Sequence, residues 1–106
     1  MDVKQMTYIL TIAQEGGISK AAAKLFITQS ALDQQLLKLE KELGTQLFYR
    51  SRTSFSLTAA GKVYVDYAKQ MVALKDAFLA AIVAENDALE QDLANRKGDP
   101  AHDQDI

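Results

Sequence analysis

The chain has 106 residues, of which 48% are apolar and 25% charged, and a net charge of −2 at neutral pH; that is the composition of one ordinary globular domain with a short extension. It has no cysteine and a single histidine, His102, which excludes a disulfide scaffold, a thiolate or multi-histidine metal site and a cysteine nucleophile, and leaves a Ser-His-Asp triad without a well-placed base. No apolar run approaches the roughly 18 residues of a membrane span, and Met1-Asp2-Val3-Lys4 does not open a secretory signal, so a soluble cytoplasmic protein is expected.

The first predicted helix covers residues 2–15. Val3, Met6, Ile9, Leu10 and Ala13 recur at helical spacing, with Ile12 alongside. Asp2 is a suitable N-cap, and Gly16-Gly17 supplies the stop. A second helix, of about two turns, is predicted from Ser19, read as its N-cap, to Leu25. Its run Ala21-Ala22-Ala23 suggests close packing against another helix. Only Phe26-Ile27-Thr28 separates it from a third helix, capped by Thr28 and stopped at Gly44. That helix has Ala31, Leu32, Leu36, Leu39 and Leu43 on one face and Gln29, Ser30, Asp33, Gln34, Lys38 and Lys41 on the other. Two helices joined by so short a turn form a helix-turn-helix. Residues 47–50 and 55–57 are strand-prone and flank the polar Ser51-Arg52-Thr53-Ser54, which predicts a β-hairpin. From Thr58 to Ala94 there is no proline and one glycine, Gly61; Thr58 can cap a single helix of up to about 36 residues. Residues 95–106 are polar and acidic, and are expected to be disordered.

This order predicts a mainly α fold. Residues 1–57 form a winged helix-turn-helix domain with a small β-hairpin wing, residues 58–94 a long C-terminal dimerisation helix, and residues 95–106 an acidic tail. A winged helix-turn-helix lays the second helix of its motif in the DNA major groove and sets the wing against the backbone or the adjacent minor groove. The charge distribution suits such a partner. Residues 1–75 carry ten Lys/Arg against six Asp/Glu, and residues 76–106 two against eight. A basic body with an acidic end is a pattern of nucleic-acid binders, although an acidic end also serves simply as a solvated terminus. The long helix carries an apolar stripe larger than the body alone covers, and a second copy of the chain is its simplest partner.

The same segments carry a family pattern. Its parts are Ala13-x-Glu15-x-Gly17, Ser19-x-Ala21-Ala22-x-x-Leu25, Gln29-x-Ala31-Leu32, Leu39-Glu40-x-x-Leu43-Gly44-x-x-Leu47-Phe48-x-Arg50 and Leu57-Thr58-x-Ala60-Gly61. Each is weak alone; together, at this spacing, they are highly specific. Over residues 3–61 the chain resembles the N-terminal DNA-binding region of LysR-type transcriptional regulators. The helix that follows is similar to that family's linker helix, which pairs two subunits. Where the family usually has Ser-Gln-Pro-Ala-Leu-Ser, this chain has Thr28-Gln29-Ser30-Ala31-Leu32-Asp33. Asp33 therefore puts a negative charge where a neutral hydroxyl is usual. Beside phosphates that charge weakens binding; against a base edge it redirects specificity, by accepting from cytosine N4. In the wing, Thr53 holds the place of the family's second arginine, and Arg52 sits one residue early. The family's effector domain is not expected after Leu89, so no small-molecule site is expected in this chain; a naturally short protein and a portion of a longer one both fit.

The function read from these residues is sequence-specific binding of double-stranded DNA by a dimeric bacterial transcriptional regulator, cytoplasmic and nucleoid-associated. No catalytic, cofactor or metal site is expected. Gln29 would read adenine through its amide, with Ser30, Asp33 and Gln34 completing the reading face and Lys38 meeting phosphate; each is also readable as an exposed polar helix residue. Ser19 and Thr28, as helix caps, would face phosphates. Arg50 suits a phosphate or a carboxylate such as Glu40 or Glu42 equally well, and Arg52 at the wing tip suits the minor groove. Tyr64, Tyr67, Met71, Phe78, Leu79, Ile82 and Leu89 are expected to form a homodimer seam together with domain core, a tetramer being also possible on the same reasoning. The rival reading is a protein-interaction module that heterodimerises with a full-length relative and modulates it without binding DNA well. Asp33 and the negative net charge favour it.

Overall fold

The computed structural model describes residues 1–51 and 55–96. The expectations for Arg52, Thr53, His102 and the tail beyond residue 96 lie outside the described residues. The elements are α1 (Val3–Glu15), α2 (Ile18–Leu25), α3 (Gln29–Leu43), β1 (Phe48–Arg50), β2 (Phe55–Leu57) and α4 (Ala59–Asn95). The mainly α winged helix-turn-helix with a two-stranded hairpin and a long last helix is therefore present.

Local chemistry sets most of the boundaries. Asp2 Oδ1 accepts the Gln5 N–H at 2.7 Å and caps α1. Gly16, at φ 73°, ends it in the left-handed conformation that glycine takes without strain. The start of α2 corrects the sequence reading. Its N-cap is Gly17, in extended backbone, and Ser19 lies inside the first turn. Starting two residues earlier lets Ile18 pack against the core. Ala21 and Ala22 are buried as the alanine run suggested, whereas Ala23 is exposed. Phe26 closes α2 at φ 58°, its N–H reaching the carbonyls of Ala22 and Ala23; the side chain is 94% exposed. Thr28 Oγ1 then accepts the Ala31 N–H at 3.0 Å and caps α3, which ends at Gly44 with φ 72°.

The core forms where these helices meet. Ile9 and Ile12 of α1, Ala21 and Ala22 of α2, and Leu32, Leu36 and Leu39 of α3 pack with Leu47 and Phe48. Each large side chain buried here contributes about 1.5–3 kcal/mol. The hairpin is antiparallel, pairing Phe48 with Leu57, Tyr49 with Ser56 and Arg50 with Phe55. It is fixed to α1 by the Phe55 N–H, which donates to the Gly16 carbonyl at 3.2 Å. The Phe48 and Phe55 rings are 5.8 Å apart, a separation at which tilted aromatic pairs attract.

Thr58 starts α4 as predicted. Its Oγ1 accepts the Gly61 N–H at 2.9 Å and donates to the Gln46 carbonyl at 2.7 Å, while its N–H donates to the Leu47 carbonyl at 3.0 Å. The chain divides into two units. In Met1–Ala73, Val65 and Ala68 are buried and Tyr64 packs half-buried against the core. The Tyr64 hydroxyl has no hydrogen-bond partner among the described residues. Burial, with smaller contributions from Asp2 and Glu42, pushes its pKa up to about 12. In the second unit, Leu74–Ile106, Leu74, Phe78, Leu79, Ile82, Val83, Leu89 and Leu93 are all exposed. Among the described residues no helix is long and apolar enough to cross a membrane.

Candidate nucleic-acid interface

The first turns of α3 carry the exposed polar side chains that the sequence singles out. Thr28, Gln29, Ser30, Gln34 and Lys38 are exposed, as is Ser19 at the head of α2. The two helix heads meet: Gln29 Nε2 donates to Ser19 Oγ at 3.3 Å. Ser19 is thus an acceptor for a neighbouring side chain and not the cap of α2. The contact uses one of the two Nε2 hydrogens, so Gln29 keeps its other N–H and its Oε1 carbonyl. One donor and one acceptor side by side are what the N7 and N6 edge of adenine requires.

Arg50 is held by carboxylates. Its Nη1 donates to Asp33 Oδ1 at 3.0 Å and its Nη2 to Glu40 Oε1 at 3.2 Å. The guanidinium also lies 5.5 Å from the centre of the Phe55 ring, within cation–π range. Glu42, the other carboxylate considered for Arg50, pairs instead with the Met1 ammonium at 3.4 Å. Glu40 is buried, and its second oxygen accepts the Leu47 N–H at 2.7 Å. A buried carboxylate is tolerated when it is paired and hydrogen-bonded in this way. Arg50 and Glu40 together fasten β1 to α3.

Sequence reasoning named Glu40 as a partner for Arg50 and missed Asp33. The signal available was opposite charge alone, across 17 residues. Ile18, Gln29, Ser30, Asp33, Arg50 and Phe55 line one shallow cleft beside the head of α3. Gln34 and Lys38 lie further along α3 and do not line it, and Arg52 lies outside the described residues. The residues predicted for a dimer seam are elsewhere, on α4. Tyr64, Tyr67 and Met71 line a separate apolar hollow with Met1, Met6, Leu43, Val63 and Ala68, while Phe78, Leu79, Ile82 and Leu89 are exposed in the second unit.

Comparison with known proteins gives this geometry a context. The chain is 40% identical over 74 residues to the HTH-type transcriptional regulator TfdT of Cupriavidus pinatubonensis, which covers 70% of this chain and 32% of TfdT. The chain thus spans about a third of the length of that relative. Its fold superposes with a TM-score of 0.78 and 29% identity on the crystal structure of the BenM DBD in complex with catB site 1 DNA, covering 81% of this chain and 97% of that one. The crystal structure of the CbnR DBD–DNA complex is similar at a TM-score of 0.77 and 29% identity, covering 81% and 99%. Residues 3–62 match the family described as bacterial regulatory helix-turn-helix protein, lysR family. Helix order, hairpin, exposed α3 head and this match over more than half of the chain agree, and the chain belongs to the LysR family of bacterial regulatory helix-turn-helix proteins.

Proposed function

We propose that this chain binds double-stranded DNA sequence-specifically and regulates transcription in the bacterial cytoplasm, as a dimer paired through α4. The observation that carries the proposal is the exposed head of α3, with Gln29 oriented against Ser19, in a fold whose BenM and CbnR counterparts are described bound to DNA. Gln29, Ser30 and Gln34 read base edges; Ser19, Thr28 and Lys38 face phosphates, and Arg52 serves the wing. Residues 1–57 do the reading, and residues 58–94 do the pairing. The net positive charge of residues 1–75 supports a phosphate partner, with affinity that falls steeply as salt rises.

The exposed Phe78, Leu79, Ile82 and Leu89 support pairing through α4. They equally favour a second reading, in which this chain pairs with a relative bearing a matching helix and modulates it. The deciding experiment selects duplexes from a random DNA library with purified protein at about 0.1–0.15 M salt, where non-specific phosphate binding is moderated. An enriched palindrome is expected, its half-site spacing giving the distance between the two reading helices. Absence of enrichment, with no retention at low salt, would favour the interaction reading.

A further inference from the structure

Asp33 is a carboxylate one turn beyond Gln29 and Ser30 on α3, and it lines the same cleft. Two features decide what it can do there. Its charge is already engaged: Arg50 Nη1 sits 3.0 Å from Oδ1, and Arg50 is itself fixed by Glu40 and the Phe55 ring. A cation so close offsets much of the repulsion that a bare carboxylate would meet among phosphates. Its other oxygen, Oδ2, makes no hydrogen bond with any described residue, and the side chain is 39% exposed. A carboxylate clamped through one oxygen presents the other as a directed, purely accepting group.

The geometry points to Asp33 as a specificity-determining residue that accepts a hydrogen bond from the exocyclic amino group of a cytosine in the major groove, with Arg50 as its positioning residue. This rests on the DNA-reading function proposed above. The donor and acceptor pattern of the groove supplies the reason. Cytosine offers N4–H to a lone acceptor. Thymine O4 and guanine O6 are acceptors themselves and repel it. Adenine offers N6–H but sets the acceptor N7 beside it. A serine in the same place would both donate and accept, and would make no such distinction.

The test selects duplexes from a randomised library with the full chain and with its Asp33→Asn and Asp33→Ser variants, all at the same salt. In the wild-type selection, one position of each half-site is expected to be cytosine, favoured about tenfold over thymine. Both variants are expected to lose that preference while the other positions keep theirs. Two replacements of different size guard against a folding defect in either one. Arg50→Lys keeps the charge but cannot grip both carboxylates, and it is expected to lower the preference at that position alone. A wild-type half-site without a fixed cytosine, or variants that retain it, would overturn the inference. A uniform loss at every position in Arg50→Lys would overturn the positioning role. Failure of the wild-type chain to enrich any sequence is a separate result, and it overturns the DNA-reading function itself.

Discussion

Replacing Gly61 by alanine tests the junction between the hairpin and α4. Gly61 is buried in the first turn of α4. A Cβ at that position would collide with the Leu47 carbonyl oxygen, and would lie 3.0 Å from both the Leu47 carbonyl carbon and Leu57 Cδ2. The Leu57 side chain can move aside; the Leu47 backbone is held. Its carbonyl accepts the Thr58 N–H at 3.0 Å, its N–H donates to Glu40 at 2.7 Å, and its side chain is 1% exposed. In an unencumbered helix, glycine to alanine stabilises by about 1 kcal/mol. Here overpacking costs about 1–3 kcal/mol, and displacing the Thr58–Leu47 bond costs about 1 kcal/mol more. The gain and the lost bond offset each other, and a net loss of about 1–3 kcal/mol remains. For a domain of this size that lowers Tm by roughly 5–20 °C. Thermal unfolding of both proteins, followed by circular dichroism at one protein concentration, measures the difference; the concentration is matched because association shifts Tm. A Gly61→Ala chain that melts at or above the wild-type temperature would refute the close approach of helix and carbonyl.

Four further substitutions test other parts of the molecule. Glu40→Ala leaves the buried Leu47 N–H without an acceptor and Arg50 with Asp33 as its remaining carboxylate, so the urea midpoint should fall by the equivalent of about 2–3 kcal/mol; an unchanged midpoint would contradict the bond. Tyr64→Phe removes a buried hydroxyl that has no described partner. Because the folded-state pKa of about 12 exceeds the value of about 10 in the unfolded chain, wild-type stability should be intact below pH 10 and drop between about pH 10 and 12, where the unfolded state sheds the proton first. Denaturation curves of Tyr64→Phe should be flatter over that window, and equal slopes would show that Tyr64 does not titrate this way. Gln29→Ala should cost about 1–3 kcal/mol on the selected duplex by fluorescence anisotropy, and less on random DNA; equal losses on both would argue against base reading. Phe78→Asp should give monomers in light scattering, whereas a persisting dimer would place the seam elsewhere.

What could be read from the sequence follows the reach of the forces involved. Asp2, Thr28 and Thr58 were legible as caps because a cap bonds backbone two or three residues away. Gly16 and Gly44 were legible as stops because the left-handed turn is a property of the residue itself. Ser19 was misplaced because burial of Ile18, a tertiary effect, moved the helix start, and local propensity alone favours the serine. Phe26 gave no turn signal at all. Its left-handed backbone is imposed by the short path from α2 to the cap of α3, at a strain a phenylalanine would not accept unaided. In the candidate site, the exposed face of α3 followed from periodicity. The Asp33–Arg50 pair did not, because it depends on how β1 lies against α3, and no spacing rule encodes that.

The bond from the Phe55 N–H to the Gly16 carbonyl bears on how the domain comes to be folded. α1 meets α2, and α2 meets α3, across short turns, whereas α1 reaches α3 over 30 residues, from Gln5 to Gln35. The bond from Phe55 to Gly16 closes a loop of the same order, at an entropic cost only about 0.2 kcal/mol greater. The neighbouring helix pairs are therefore expected to form before the long-range contacts of α1 with α3 and with the hairpin.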